Sequence, residues 1–176
     1  LTLILNSVHL SAQDPLGLTV EQYALNPRSA AVATQFNTRK TVDQTQAGLL
    51  YERSIDASNA LRLMVYAGER RTTQYQAIPP SAQASPLSAG GVIGLSRDFG
   101  GLDLRWTSQM ELAGRPFELV AGLAYDDLRE QRTGYENFIG PVANPILGVQ
   151  GRLRRNETNK VDNLDPYLQA TWRFAE

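Results

Sequence analysis

The sequence predicts an all-β protein: six long antiparallel strands laid up and down in chain order, forming a segment of a transmembrane β-barrel. Three observations predict it. Apolar side chains recur at every second position in several stretches, most clearly in FELVAGLAY from Phe117 to Tyr125, the period of a strand with two unlike faces. The connections between strands run long, short, long, short, long, as in outer-membrane barrels, whose turns are short on the periplasmic side and whose loops are long outside. Three aromatics on the apolar side also fall at matching places: Tyr51 and Trp106 shortly before the two short turns, and Trp172 at the end of the sixth strand. Amphipathic rings at headgroup level form such a girdle.

Taken in order, residues 1–11 (LTLILNSVHLS) make the first strand. Residues 12–40 are rich in turn formers and poor in alternation, hence a long loop. Within it 19–25 can form a short helix, since Thr19 can cap it and Glu21 falls in its first turn. The second strand covers 41–55, the short turn DASNA follows, and the third strand runs from 61 to about 78. Pro, Ser and Gly crowd PPSAQASPLSAGG, residues 79–91, a second long loop. The fourth strand, 92–111, and the fifth, 117–135, flank the short turn LAGRP. Pro141, Pro145, Gly148 and Gly151 mark a third long loop over 139–163, and 166–174 is the sixth strand. The sequence begins inside one strand-like run and ends on another, without an initiator methionine or signal peptide, so the expectation is an internal segment of a longer chain.

The alternation divides the strands into two faces. One carries Ala47, Leu49, Tyr51, Leu61, Leu63, Val65, Ala67, Leu102, Leu104, Trp106, Leu119, Ala121, Leu123, Tyr125, Leu168, Ala170, Trp172 and Phe174. The other carries polar residues of mixed sign, among them Glu52, Arg62, Asp103, Arg105, Glu118, Asp126 and Arg173. In a soluble sandwich the apolar face would meet a second layer; in a barrel it would meet lipid, with the polar face lining a wide, wet lumen. Crossing a bilayer takes about 9–11 tilted residues. These strands are longer, and their surplus is polar: ERRTTQYQ at 69–76 and DDLREQRTGYEN at 126–137. That surplus would stand above the membrane around an external vestibule.

Composition excludes several function classes. Seventeen basic against eighteen acidic residues give no electrostatic reason to expect nucleic acid as a partner. No apolar run approaches the length of a membrane helix. With no cysteine there is no disulfide, thiolate metal site or cysteine nucleophile. His9 is the only histidine, so a histidine metal cluster is ruled out and a catalytic triad would have to use it. A strand residue is the simpler reading. The Gly90-Gly91 pair lies in a proline-rich loop and makes no phosphate-binding loop. No catalytic residue, metal ligand or cofactor is expected.

The succession AQDPLGLT, QFNTRKTVDQTQAGLLYER, LRLMVYAGERRTTQYQAIPP, GGLDLRWT, GRPFELVAGLAYDD, RTGYENF and NLDPYLQATWRF, spread over nearly the whole chain, resembles the barrel region of TonB-dependent outer-membrane receptors, especially those for ferric siderophores. The resemblance implies a barrel of about 22 strands with an N-terminal plug and energy delivered by TonB. Residues 1–176 would then be a partial barrel domain, six consecutive strands in the bacterial outer membrane. The plug, signal peptide and terminal strand lie outside it. The implied partners are a ferric siderophore or other metal chelate, outer-membrane lipid, and TonB through the missing N-terminal region. Iron would stay inside the chelate.

Basic and aromatic residues at the external strand ends and in the long loops are the candidates for ligand contact: Arg70, Arg71, Tyr75, Arg129, Arg132, Tyr135, Arg152 and Arg154. Guanidinium groups beside tyrosine suit an anionic, oxygen-rich chelate; lipopolysaccharide phosphates or plain solvation account for the same arginines. Two other functions stay open: a passive outer-membrane pore or structural barrel, and a soluble β-sandwich module binding carbohydrate or peptide.

Overall fold

The computed structural model describes residues 1–174. In chain order the elements are β1 (Thr2–Gln13), helices α1 (Val20–Leu25) and α2 (Ala31–Phe36), β2 (Arg39–Ser54), β3 (Asn59–Tyr75), a 3-10 turn (Pro80–Gln83), β4 (Val92–Leu112), β5 (Arg115–Tyr135), the short strands β6 (Phe138–Ile139) and β7 (Ile146–Leu147), and β8 (Leu153–Trp172). Six of the strands form one antiparallel sheet in the order β1-β2-β3-β4-β5-β8, each paired with its neighbour in sequence, while β6 and β7 pair apart from it. The predicted all-β, up-and-down antiparallel order is therefore present. Ladders run the full length of the strands, broken only by a bulge at Gly134/Tyr135.

Both short turns have local causes. At one, the Asp56 carboxylate accepts the backbone N–H groups of Ser58 at 2.7 Å and Asn59 at 2.8 Å. These bonds hold its pKa below the ordinary value, with the Ser58 bond the largest cause. At the other, Ala113 (φ 51°) and Gly114 (φ 71°) are both left-handed, the two-residue geometry that matches strand twist.

The predicted helix α1 is present. Thr19 caps it by accepting from Gln22 N, and the Gln22 side chain returns the bond to Thr19 N, a capping box. No residue of α1 is buried. Thr19→Ala is therefore expected to cost the helix about 1 kcal/mol and fray it without disturbing the sheet, read as faster amide exchange confined to residues 20–25.

Three expectations need correction. The sixth strand starts at Leu153, not at residue 166, and ends at Trp172, not 174. The third loop shrinks accordingly, and Arg154 and Arg155 belong to a strand. The reason is that LRRNETNKVDNLD, residues 153–165, is polar at nearly every position, so it carries no period-two signal, yet it completes the ladder on β5 from Leu153 to Asp165. Residues 76–78 leave the sheet, so β3 ends at Tyr75. Helix α2 lies within the residues expected to be loop; its Ala33 and Phe36 are buried by contacts that sequence spacing did not reveal.

Register resolves the two faces. Leu61, Trp106, Ala121 and Leu168 form one cross-strand row; Tyr51, Leu63, Leu104, Leu123 and Pro166 the next; Leu3, Leu49, Val65, Leu102, Tyr125 and Leu164 the third. All lie on the face opposite Glu52, Arg62, Arg105 and Tyr167. This apolar belt is left open: Leu3, Leu5, Leu164 and Leu168 are 62–72% exposed. Among the described residues no second sheet of comparable size covers it, and substantial packing joins only successive strands and the β6-β7 ribbon.

The chain exposes 11918 Å², whereas a self-contained globular monomer of 19.4 kDa exposes about 8500 Å². Folding on its own therefore leaves a large apolar surface in water, beyond what a monomer ordinarily tolerates. The few buried side chains gather at the long-loop end, with Val120 and Ser108 the exceptions.

Candidate functional site

At the long-loop end, the second and third long loops dock on each other through two amide side chains. Asn137 is fully buried and Gln83 is 1% exposed. The Asn137 amide donates to the carbonyls of Gln76 (2.6 Å) and Ile78 (3.1 Å) and accepts from Gln83 Nε2 at 2.6 Å. Gln83 Nε2 also donates to Ile78 O at 2.7 Å, and Gln83 Oε1 accepts the backbone N–H of Asn137 at 3.3 Å. Every polar atom of the Asn137 side chain is thus satisfied, as burial requires. Gly90 (φ 85°) lets its backbone lie against the Tyr135 carbonyl, where a Cβ would collide.

Beside this lock, Glu136 is buried between Arg152 at 2.8 Å and Arg154 at 3.2 Å. Arg154 also donates to Ser85 O at 2.5 Å, which ties the third loop and β8 to the second loop. The first loop joins them: Gly148 packs on Phe36 and Asn37, and the Arg39 guanidinium donates to Asn37 O at 2.8 Å while covering the Tyr75 ring at 3.4 Å. Asp14 and Thr38 close the base of the first loop through two hydrogen bonds.

The eight predicted contact residues are not brought to one place. Arg70 and Arg132 lie on the polar face of the sheet. Arg71, Tyr75, Arg129 and Tyr135 lie on the belt face, above the apolar rows. Arg71 pairs there with Glu69 at 3.2 Å and Arg129 with Asp127 at 3.8 Å. Arg152 and Arg154 converge on Glu136. Adjacent residues of a strand point to opposite faces, so the Arg70-Arg71 pair was bound to divide. His9, 74% exposed, contacts Asp43 across β1 and β2 at 2.5 Å. Among the described residues no three His, Asp or Glu side chains cluster as a metal site would, and no helix is long and apolar enough to cross a membrane, which says nothing of strands.

Sequence reasoning passed over Arg97, whose importance lies in register: it stands opposite Arg70 on one side and Glu130 on the other. Arg97 Nε meets Glu130 Oε2 at 2.5 Å, and Asn159 donates to the other carboxylate oxygen at 3.1 Å. Burial pushes the Glu130 carboxyl up, but bonds from Arg97 and Asn159 and the fields of Arg97 and Arg132 outweigh it, holding its pKa below the ordinary 4.5. A depressed pKa adds stability above the unfolded value that is lost as pH falls through the folded one. Acid is thus expected to loosen this part of the sheet as pH drops below about 4.5. In a pH series of melting midpoints, Glu130→Gln should flatten that acid limb. An unchanged limb would show the pair contributes nothing.

No known family model matches the chain.

Proposed function

We propose that the chain is part of the wall of a bacterial outer-membrane β-barrel, a TonB-dependent receptor for active uptake of a ferric siderophore or similar metal chelate. The observation that carries the membrane part is how the apolar belt crosses the register. Its lower, aromatic edge passes from Tyr51 to Trp106 to Trp172 and descends six residues over the four steps from β2 to β8. Its upper edge, where Thr45, Glu69, Asp98, Asp127 and Asp162 begin the polar zone, descends two. The mean is one residue per strand. With a rise of about 3.3 Å per residue and strands about 4.8 Å apart, a level band then requires strands tilted by about 35°, within the range of transmembrane barrels.

On β4 the apolar side extends below the Trp106 girdle to Met110, interrupted by Ser108, so that Gly100 and Met110 stand ten steps apart. With the girdle included that is about 33 Å along the strand, or about 27 Å of height at such a tilt, close to the roughly 25 Å of the apolar band on outer-membrane barrels. Two further features support a wall. Strands β1 and β8 end the sheet with open edges, which a closed barrel would pair with further strands. The open belt also argues against a soluble sandwich, whose apolar face needs a covering layer.

The uptake part of the proposal rests on the resemblance, on the docked long loops that would rim a vestibule, and on the polar face that would line it. The membrane part is tested with the full chain in vesicles whose acyl chains carry bromine. Fluorescence of Trp106 and Trp172 should be quenched, and no quenching would overturn a lipid-facing belt. The transport part is tested by iron-limited growth of strains with and without the gene, supplied with defined ferric siderophores. Growth that needs both the gene and TonB supports the receptor. Conductance in planar bilayers without TonB-dependent growth would favour a passive pore.

A further inference from the structure

On the polar face of the sheet, Arg70 and Arg97 stand directly opposite each other across β3 and β4. Side chains so related lie about 5 Å apart at Cβ, where like charges repel. Arg97 has Glu130 as its counter-charge, but that carboxylate also takes the Asn159 amide and feels Arg132. Arg70 makes no hydrogen bond or ion pair among the described residues, and its Nε is shut off from water with no acceptor. Its other register neighbour, Gln44, has its amide nitrogen on Gln46 at 2.8 Å, and the Gln44 carbonyl oxygen takes no bond from Arg70. Glu157, opposite Arg132 in the register, pairs with Arg155 at 3.1 Å. Two guanidinium groups, Arg97 and Arg132, therefore act on one carboxylate, and Arg70 beside them has none.

The surroundings sharpen the imbalance. Leu95 and Phe99 flank Arg97 along β4, and the flanking rows add Val42, Thr72 and Leu128; Val42 and Thr72 are buried. Apolar neighbours lower the local dielectric, which strengthens a charge-assisted hydrogen bond and penalises an unpaired donor. A cation would be repelled. What completes the set is an oxygen acceptor with negative charge.

We propose that Arg70 and Arg97 hold an oxyanion, a carboxylate or phosphate group, with Arg132 at its margin. A guanidinium fork presents paired N–H donors that match either group. The site follows from the geometry of the sheet and stands whether or not the chain carries a chelate across a membrane.

The test uses the full chain in detergent micelles at constant ionic strength, titrated separately with inorganic phosphate and with succinate, and followed by calorimetry and by melting midpoint. At least one anion is expected to bind and raise the midpoint, and the arm that responds identifies phosphate or carboxylate as the preferred group. Arg70→Gln should weaken binding by about tenfold or more, the loss of one charge-assisted contact. Without anion it should also melt no lower than the parent, because a repulsion is removed. Arg70→Lys keeps the charge without the fork and should fall between. Lys160→Gln, one charge removed on the other face, should bind like the parent. Should Arg70→Gln fail to fold, Arg132→Gln with a smaller loss of affinity carries the test. Absence of binding by either anion, or equal binding by the Arg70 variants and the parent, would overturn the proposal. Loss of chelate-dependent growth with intact anion binding would overturn only the uptake reading.

Discussion

Leu104→Arg is expected to destabilise the full chain in lipid by about 2–4 kcal/mol, the cost of arginine near the bilayer midplane on a barrel's outer face. Leu104 sits in the middle of the belt, between Leu63 and Leu123 in the register, and is 37% exposed in the isolated chain. That exposure makes the experiment decisive. If water covers this face, a leucine already so exposed can become arginine at almost no cost, since surface substitutions are usually within about 0.5 kcal/mol. If lipid covers it, the guanidinium must be moved into hydrocarbon. Ala124→Arg is the matched control: it lies on the polar face between Asp103 and Asp165 in the register and should be neutral or stabilising. Urea unfolding of the vesicle-inserted protein measures both. Equal midpoints for Leu104→Arg and the parent would remove the lipid-facing belt.

Asn137→Ala is expected to cost about 3 kcal/mol, because it removes three buried hydrogen bonds and leaves the Gln76 carbonyl unpaired. The carbonyls of Gln76 and Ile78 and the amide of Gln83 all bond the Asn137 side chain, and alanine replaces none of those bonds. The loss should be local. Residues 76–91 and 136–152 should become open to protease and fast in amide exchange, while the paired strands keep their protection, since loops can open below the free energy of global unfolding. Gln83→Ala should have a smaller effect in the same segments, because the Asn137 bonds to both carbonyls survive. If Asn137→Ala left the loops protected, the amide lock would not be what holds them together.

How far the sequence could be read depended on where water lies. Around Leu61, Leu104 and Leu123 one face is apolar and the other polar, so alternation announced the strands. In β8 the stretch LRRNETNKVDNLD is polar on both faces, and the same backbone pairing left no trace in hydrophobicity. Backbone hydrogen bonds are indifferent to side-chain polarity; a periodicity argument sees only burial. Helix α2 escaped for a related reason: its buried pair, Ala33 and Phe36, is half loop packing and too short to show a period. Among the candidate contacts, the sequence placed basic residues toward the long-loop end of the sheet but could not sort them by face beyond parity within one strand. Arg97 and Glu130 matter through their neighbours on other strands, and those neighbours are a matter of register.

The sequence by itself determined the all-β antiparallel class, the order of the six strands, the two short turns and the capped helix, because each is a local consequence of alternation, turn chemistry or capping. Only the tertiary structure decided which residues stand opposite one another. Register put Arg70 against Arg97, brought Gln83 to Asn137 from 54 residues away, and turned a set of apolar positions into an oblique belt. Cross-strand pairing joins positions far apart in the chain, and nothing local to either partner encodes the distance between them.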